Sequence, residues 1–215
     1  MKNVVVFGMS GHVGTHFYEE YHGTYNIVAI NRSTFDFLNP DFSSLYKEIS
    51  SNASLASGID ALVFLQGINP SMGTRNITAS HFHNMLSVNL ITPTGVINSL
   101  LPLLNKNAST TFISSVAEKK GSYDPSYASA KSGMKGLQQT LSNQFPNIRF
   151  NIISLGLVKG SPVEVGMTDD FRQRHLNAMG NQLVDTNDVC KTIKFLIECN
   201  SIARSTISVD RGYRV

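Results

Sequence analysis

Residues 3–14, NVVVFGMSGHVG, decide how this chain folds. The first five form an unbroken apolar, β-branched run, the pattern of a strand buried on both faces. The run passes directly into Gly8-Met9-Ser10-Gly11-His12-Val13-Gly14, and a helical pattern continues to about Tyr21. Glycines at this spacing occur in many turns; between a buried strand and a helix they gain meaning. The chain must turn tightly, a phosphate must reach the backbone, and a helix N-terminus must offer free N–H groups and its dipole. Gly8, Gly11 and Gly14 fit those three tasks, with Ser10, His12 and Val13 lining the turn. His12 either favours a phosphate or is incidental.

Outward from this unit, strands and helices alternate. Strand patterns fall at 26–30, 60–65, 110–114, 148–154 and 205–209, and Phe35-Asp36-Phe37 reads as a very short further strand. Helical patterns fall at 42–50, 78–104, 125–144 and 186–199, with a looser stretch around 161–180. Such alternation predicts a Rossmann-like, doubly wound parallel sheet of about seven strands, with right-handed crossovers and helices on both faces. No linker, repeat or composition shift divides the 215 residues, so one α/β domain spanning 1–215 is expected.

The end of the second strand selects the dinucleotide. A carboxylate there would bind the adenine ribose hydroxyls. This chain has Asn31-Arg32-Ser33 instead. An arginine at that place can pair with a 2′-phosphate and stack on adenine, which favours NADP(H) over NAD(H). Alternatively Arg32 lies in solvent and NAD binds by other contacts. Asp36 and Phe37 follow closely and are expected near the adenine edge; Gln66 and Gly67, at the tip of the strand 60–65, are expected to face the cofactor.

The second informative stretch is residues 113–131, ISSVAEKKGSYDPSYASAK. Asp124 is a plausible N-cap and Pro125 suits the first helical position. Tyr127 and Lys131, four residues apart, share a helix face. The helix dipole and the neighbouring ammonium are both expected to lower the phenol pKa. On its own the pair could equally be an ordinary surface Tyr and Lys. Pro93 lies four residues after Asn89 and lacks an N–H, so the Asn89 carbonyl is expected to lose its helical partner and become available to water.

Taken together, the Gly8, Gly11 and Gly14 turn, Asn89 in SVNL, Ser115 in ISSVA, Tyr127 and Lys131 in YASAK, Gly156 and Val158 in LGLV, and Asp210-Arg211-Gly212-Tyr213 resemble the short-chain dehydrogenase/reductase family over essentially the whole chain. The resemblance implies that Tyr127 protonates a carbonyl oxygen during reduction, or takes the proton in the reverse direction. It implies that Ser115 hydrogen-bonds that oxygen, that Lys131 holds the nicotinamide ribose, and that Asn89 positions a water behind the lysine. Gly156 and Val158 would join the cofactor contacts. Ser114 competes with Ser115, but Ser115 has the family spacing from Tyr127. The family's Asn-Ala-Gly reads Leu65-Gln66-Gly67 here, its Pro before Gly156 is Leu155, and its Thr after Val158 falls on Gly160, with Ser161 next. The resemblance also implies a homodimer or homotetramer built through the long helices, where Ala128, Ser129, Ser132, Gly133 and Gly136 permit close approach or pack on the chain's own sheet.

Composition narrows the remaining classes. Charged residues make up 15%, against a typical ~25%, and the net charge is +3 with the cations scattered. That argues against nucleic acid or a membrane surface as partner. No apolar run approaches the ~18 residues of a span, and the first strand leaves no room for a leader, so a cytoplasmic protein is expected. Cys190 and Cys199 lack metal-ligand spacing and read as packed thiols, and no metal site is expected. The expected function is NADP(H)-dependent hydride transfer to or from a carbonyl or secondary alcohol of a small, polar substrate. Asn69, Arg75, Glu164, Arg172, Arg174 and His175, in the loops at 68–76 and 160–180, hint at a hydrophilic or anionic one, unless they face solvent. The alternative is a non-catalytic dinucleotide-binding sensor or scaffold on the same fold.

Overall fold

The structure is a computed structural model that describes residues 1–70 and 73–214. Six parallel strands form one sheet: β1 (Asn3–Phe7), β2 (Asn26–Ile30), β3 (Ile59–Phe64), β4 (Leu104–Ser115), β5 (Arg149–Leu155) and β6 (Thr206–Val209), in the order β2-β1-β3-β4-β5-β6. The helices are α1 (His12–Tyr21), α2 (Phe42–Ser51), α3 (Ala79–Leu86), α4 (Thr92–Leu100), α5 (Ala117–Lys120), α6 (Pro125–Gln144), α7 (Pro162–Val165), α8 (Asp169–Ala178) and α9 (Thr186–Glu198). Every residue of β1 and of β5 is buried, as expected of central parallel strands; in β5 this includes the polar Arg149, Asn151 and Ser154.

Alternate side chains send the core to two faces. Phe7, Phe64, Phe112 and Phe150 lie in one layer with α2, α4 and α6, and Phe64 stacks between Phe7 and Phe112 at centroid distances of 5.1 and 5.3 Å. Val4, Val6, Val63 and Ile153 face the other layer, built with α1 and α9. Strand order reverses at β1: β2 lies on one side and β3 on the other. The carboxyl ends of β1 and β3 therefore open the crevice where such sheets bind ligands.

Two expectations are corrected. The sheet has six strands rather than about seven, because Phe35-Asp36-Phe37 forms no strand. Its backbone is committed to turns: the N–H groups of Thr34 and Phe35 return to the Asn31 carbonyl at 3.0 and 2.9 Å, and the Asp36 carboxylate accepts the Leu38 N–H at 2.8 Å. Phe35 and Phe37 go into the core instead of an edge strand. The helical run Ala79–Leu103 is also apolar and long enough, by length and composition, to cross a membrane. Here it is a core helix, with Met85, Val96, Ile97 and Leu100 packed inside. The looser stretch at 161–180 contains α7 and α8; of the loop at 68–76, residues 71 and 72 lie outside the described residues.

Candidate active site

Gly8 follows β1 with φ +84, and a Cβ there would lie 2.5 Å from the Gln66 backbone nitrogen. Only glycine lets the turn pass this close to the end of β3. Gly14 serves differently: its Cβ would meet the Met9 carbonyl oxygen at 2.4 Å, so it lets α1 fold back on the turn. Gly11 is the N-cap of α1 and supplies no side-chain acceptor, which leaves the first helical N–H groups facing the turn. Asn31 braces this arrangement, its Oδ1 accepting the Ser10 N–H at 2.8 Å. The result is an anion cradle at the switch point, and it fits a dinucleotide pyrophosphate.

Arg32 and Ser33 stand exposed at the tip of β2, and Arg32 makes no ion pair among the described residues. Asp36 is exposed too, but its carboxylate is turned into its own loop, bonding Leu38 N–H and the Asn39 amide, and these bonds hold its pKa down. Phe37 departs from expectation. Its ring is buried and its carbonyl accepts the Thr92 hydroxyl at 2.8 Å, so it belongs to the core rather than the adenine edge.

On the other side of the crevice, β4 delivers Ser114 and Ser115. Ser114 Oγ is taken by Glu118 at 2.7 Å and by the Lys131 carbonyl. Ser115 is the serine whose hydrogen bond acts on the Tyr127 phenol, drawing its pKa down. Lys131 is buried, its Nζ donates 2.9 Å to the Ile113 carbonyl and lies 5.6 Å from the centre of the Tyr127 ring. Gly67 closes the group: a Cβ there would approach Asn89 Oδ1 at 3.1 Å and Lys131 Nζ at 3.7 Å.

Asn89 sits in a π-helical turn, Ser87–Ile91, between α3 and α4. The Thr92 N–H reaches back to the Ser87 carbonyl, and Pro93 follows with no N–H to continue the ladder. The break expected from Pro93 is thus a wider turn rather than a simple kink. The Asn89 amide donates to the Ile68 and Met85 carbonyls at 3.1 and 3.0 Å, while its Oδ1 is buried without a hydrogen-bond partner among the described residues. Such an orphaned acceptor beside an ammonium suits a bound water or hydroxyl.

The expected lowering of the Tyr127 pKa is reversed in the protein's own field. Burial raises it, and the Ser115 hydrogen bond pulls it back only in part. The same burial acts on the lysine, lowering Lys131 from 10.5 to about 8 against the attraction of Glu118. The helix dipole remains, but desolvation of the phenol outweighs it.

Asp124 caps α6 as expected, its Oδ1 accepting the N–H groups of Ser126 and Tyr127 at 2.9 and 3.2 Å. Sequence reading missed its other partner, His81 of α3, whose Nε2 lies 2.7 Å from Oδ2. No local pattern joins residues this far apart. Glu118 was also missed: it lies on α5 and reaches Ser114 at the end of β4, a contact with no periodic signal.

Other expected cofactor residues are placed by packing. Gly156 lets Met179 and Asp210 approach, since a Cβ would lie 2.9 Å from Met179 Cε and 3.0 Å from the Asp210 Cα. Val158 is buried, bridges Val184, and its carbonyl accepts the Ser161 N–H at 3.2 Å. His12 Nε2 is aimed at Thr186 Oγ1 and the Lys159 carbonyl, at 2.9 and 3.1 Å, rather than into the turn. The charges at 160–180 largely satisfy each other: Arg172 pairs with Glu164, and Arg174 with Asp170 at 2.7 Å. They therefore give little support to an anionic substrate.

The sequence matches a family profile described as Enoyl-(Acyl carrier protein) reductase over residues 41–214. No curated protein matches. Among solved structures, a short-chain dehydrogenase/reductase described as glucose/ribitol dehydrogenase from Brucella melitensis is similar at 20% identity, with 100% of this chain and 97% of that one covered and a TM-score of 0.83. A small-chain dehydrogenase in complex with NADPH is 18% identical, covering 98% and 97%, at a TM-score of 0.83. A 4-hydroxyisoleucine dehydrogenase complexed with NADH is 17% identical, covering 99% and 98%, at 0.84. With the family profile spanning most of the chain and the sheet, turn and Ser-Tyr-Lys group in place, the chain belongs to the short-chain dehydrogenase/reductase family of NAD(P)-dependent oxidoreductases.

Proposed function

We propose that this protein reduces a carbonyl of a small substrate, or oxidises the corresponding secondary alcohol, with NADP(H) as the preferred cofactor. The observation that carries the reading is the convergence of Ser115, Tyr127, Lys131 and Asn89 beside Gly67 at the carboxyl edge of the sheet. When bound, the nicotinamide supplies or accepts the hydride. The phenol of Tyr127 donates its proton to the carbonyl oxygen, and Ser115 donates a hydrogen bond to the same oxygen. Lys131 holds the nicotinamide ribose and returns a proton to Tyr127, with a water at Asn89 behind it. The raised pKa keeps Tyr127 protonated near neutral pH, the form that reduction requires. Preference for NADP(H) is supported by exposed Arg32 at the tip of β2 and by the turning of Asp36 into its own loop.

Assembly as a homo-oligomer is part of the same reading. Gly133 is used internally, since a Cβ there would lie 2.7 Å from Leu90, whereas Gly136 has nothing within 4 Å and leaves α6 open to a second copy.

The cofactor is tested by fluorescence titration with NADPH and NADH, followed by a panel of carbonyls with the better ligand. NADPH is expected to bind at least about tenfold more tightly, a difference of ~1.4 kcal/mol. Tighter binding of NADH would remove the role given to Arg32. Tight binding of either without turnover on any carbonyl would favour a sensor.

A further inference from the structure

We propose that His12 is a positioning residue: it pins the loop after β5, and through it α7 and α8, to the glycine-rich turn. The inference rests on the oxidoreductase reading only in taking α7 and α8 as the cover of the substrate cleft.

His12 is the first residue of α1, inside the turn that fits the pyrophosphate. Its Nε2 nevertheless crosses to two distant elements, 2.9 Å to Thr186 Oγ1 at the start of α9 and 3.1 Å to the Lys159 carbonyl. One ring nitrogen shared between a carbonyl and a hydroxyl acts as a donor to that pair, the hydroxyl being free to rotate. The next residue of the loop lies beside the ring: Gly160 has φ +73, and a Cβ on it would come within 3.2 Å of His12 Cε1. The connection then runs onward. Gly160 N–H donates to Glu164 Oε2 at 3.1 Å, and buried Glu164 pairs with Arg172 on α8.

α8 needs such a tether. None of its residues is fully buried, so little apolar packing holds it. Its remaining contacts reach the segment before α6 and the C-terminal segment. Phe171 meets Tyr123, four residues before Tyr127, at a ring distance of 5.6 Å, and His175 meets Tyr213 at 5.6 Å. The C-terminal segment adds one bond, Arg214 N–H to the Ala178 carbonyl at 2.9 Å. A cover held by a few polar contacts is sensitive to the loss of any one. His12 thus links the turn that takes the cofactor to the helix that closes over the substrate.

The test is limited trypsin digestion at Arg172 and Arg174 of α8, in the protein alone and with saturating NADPH, beside a fluorescence Kd for NADPH. Loss of one hydrogen bond shifts an opening equilibrium by about three- to tenfold, so His12→Ala should be cut at α8 faster by that factor. NADPH affinity should change by less than about threefold, being one neutral contact outside the ligand. His12→Gln, whose amide can donate from a similar position, should return digestion towards wild type. Thr186→Val should loosen α8 in the same direction but less. Equal digestion of wild type and His12→Ala would overturn the proposal. So would a tenfold or greater loss of NADPH affinity with digestion unchanged, which would return His12 to the phosphate. If the wild type binds neither NADPH nor NADH, the oxidoreductase reading falls, while digestion of the protein alone still decides the role of His12.

Discussion

Lys131 carries an ammonium yet is buried in the folded protein. Burial lowers its pKa from 10.5 to about 8, so in the folded state it binds its proton less well than in the unfolded chain. Between about pH 8 and 10.5 the unfolded chain carries the extra proton, and raising the pH through that window favours the fold. Lys131→Met removes the term. Urea denaturation across pH 7–9.5 should therefore show wild type gaining stability relative to Lys131→Met as pH rises; a constant difference would mean that the ammonium is solvated. Pairing of Tyr127 with Lys131 was legible in the sequence, because spacing on a helix fixes which side chains share a face. The direction of the tyrosine shift was not, because it depends on how much water the surrounding elements exclude. Ser115 and Ser114 show the same division: both reach the site from one strand, and only the position of Glu118 shows which is already engaged.

Elements marked by backbone chemistry were read closely from the sequence. The helix Pro125–Gln144 has the expected bounds because Asp124 and Pro125 state its start. The segment Phe35-Asp36-Phe37 misled, because apolar alternation reads as a strand even where Asn31 and Asp36 draw the backbone into turns. The π-helical turn at Asn89 follows from Pro93, but its width is set by packing around Met85 and Ile68. At this scale Asp124 is the most consequential cap, since it also holds His81 of α3 against the start of α6. Asp124→Ala should cost about 1–2 kcal/mol for the lost cap, and more for the unpaired His81. It should also slow turnover, because the Tyr127 N–H is one of the groups capped. Chemical denaturation and steady-state kinetics check both. Unchanged stability would show that the cap is replaced by solvent.

At the scale of the whole molecule, sheet order does the organising. The reversal at β1 brings Gly8 beside Gln66, and the parallel ladder sets the ends of β3, β4 and β5 at one edge. Residues separated by most of the chain then meet: the turn from the first strand, Asn89 from the central helix, Ser115 from β4, and Tyr127 with Lys131 from α6. Alternation of strand and helix made this architecture readable in advance. The arrangement of α7 and α8 was not, because their few polar links, Glu164 with Arg172 among them, carry no periodic signal. The account as a whole turns on whether Tyr127 moves the proton. The most direct measurement follows NADPH oxidation with the best carbonyl of a panel, for wild type and Tyr127→Phe, with NADPH affinity determined in parallel. The account predicts that Tyr127→Phe binds NADPH about as tightly as wild type and turns over at least ~100-fold more slowly, as loss of a general acid requires. Equal turnover by the two proteins would contradict it.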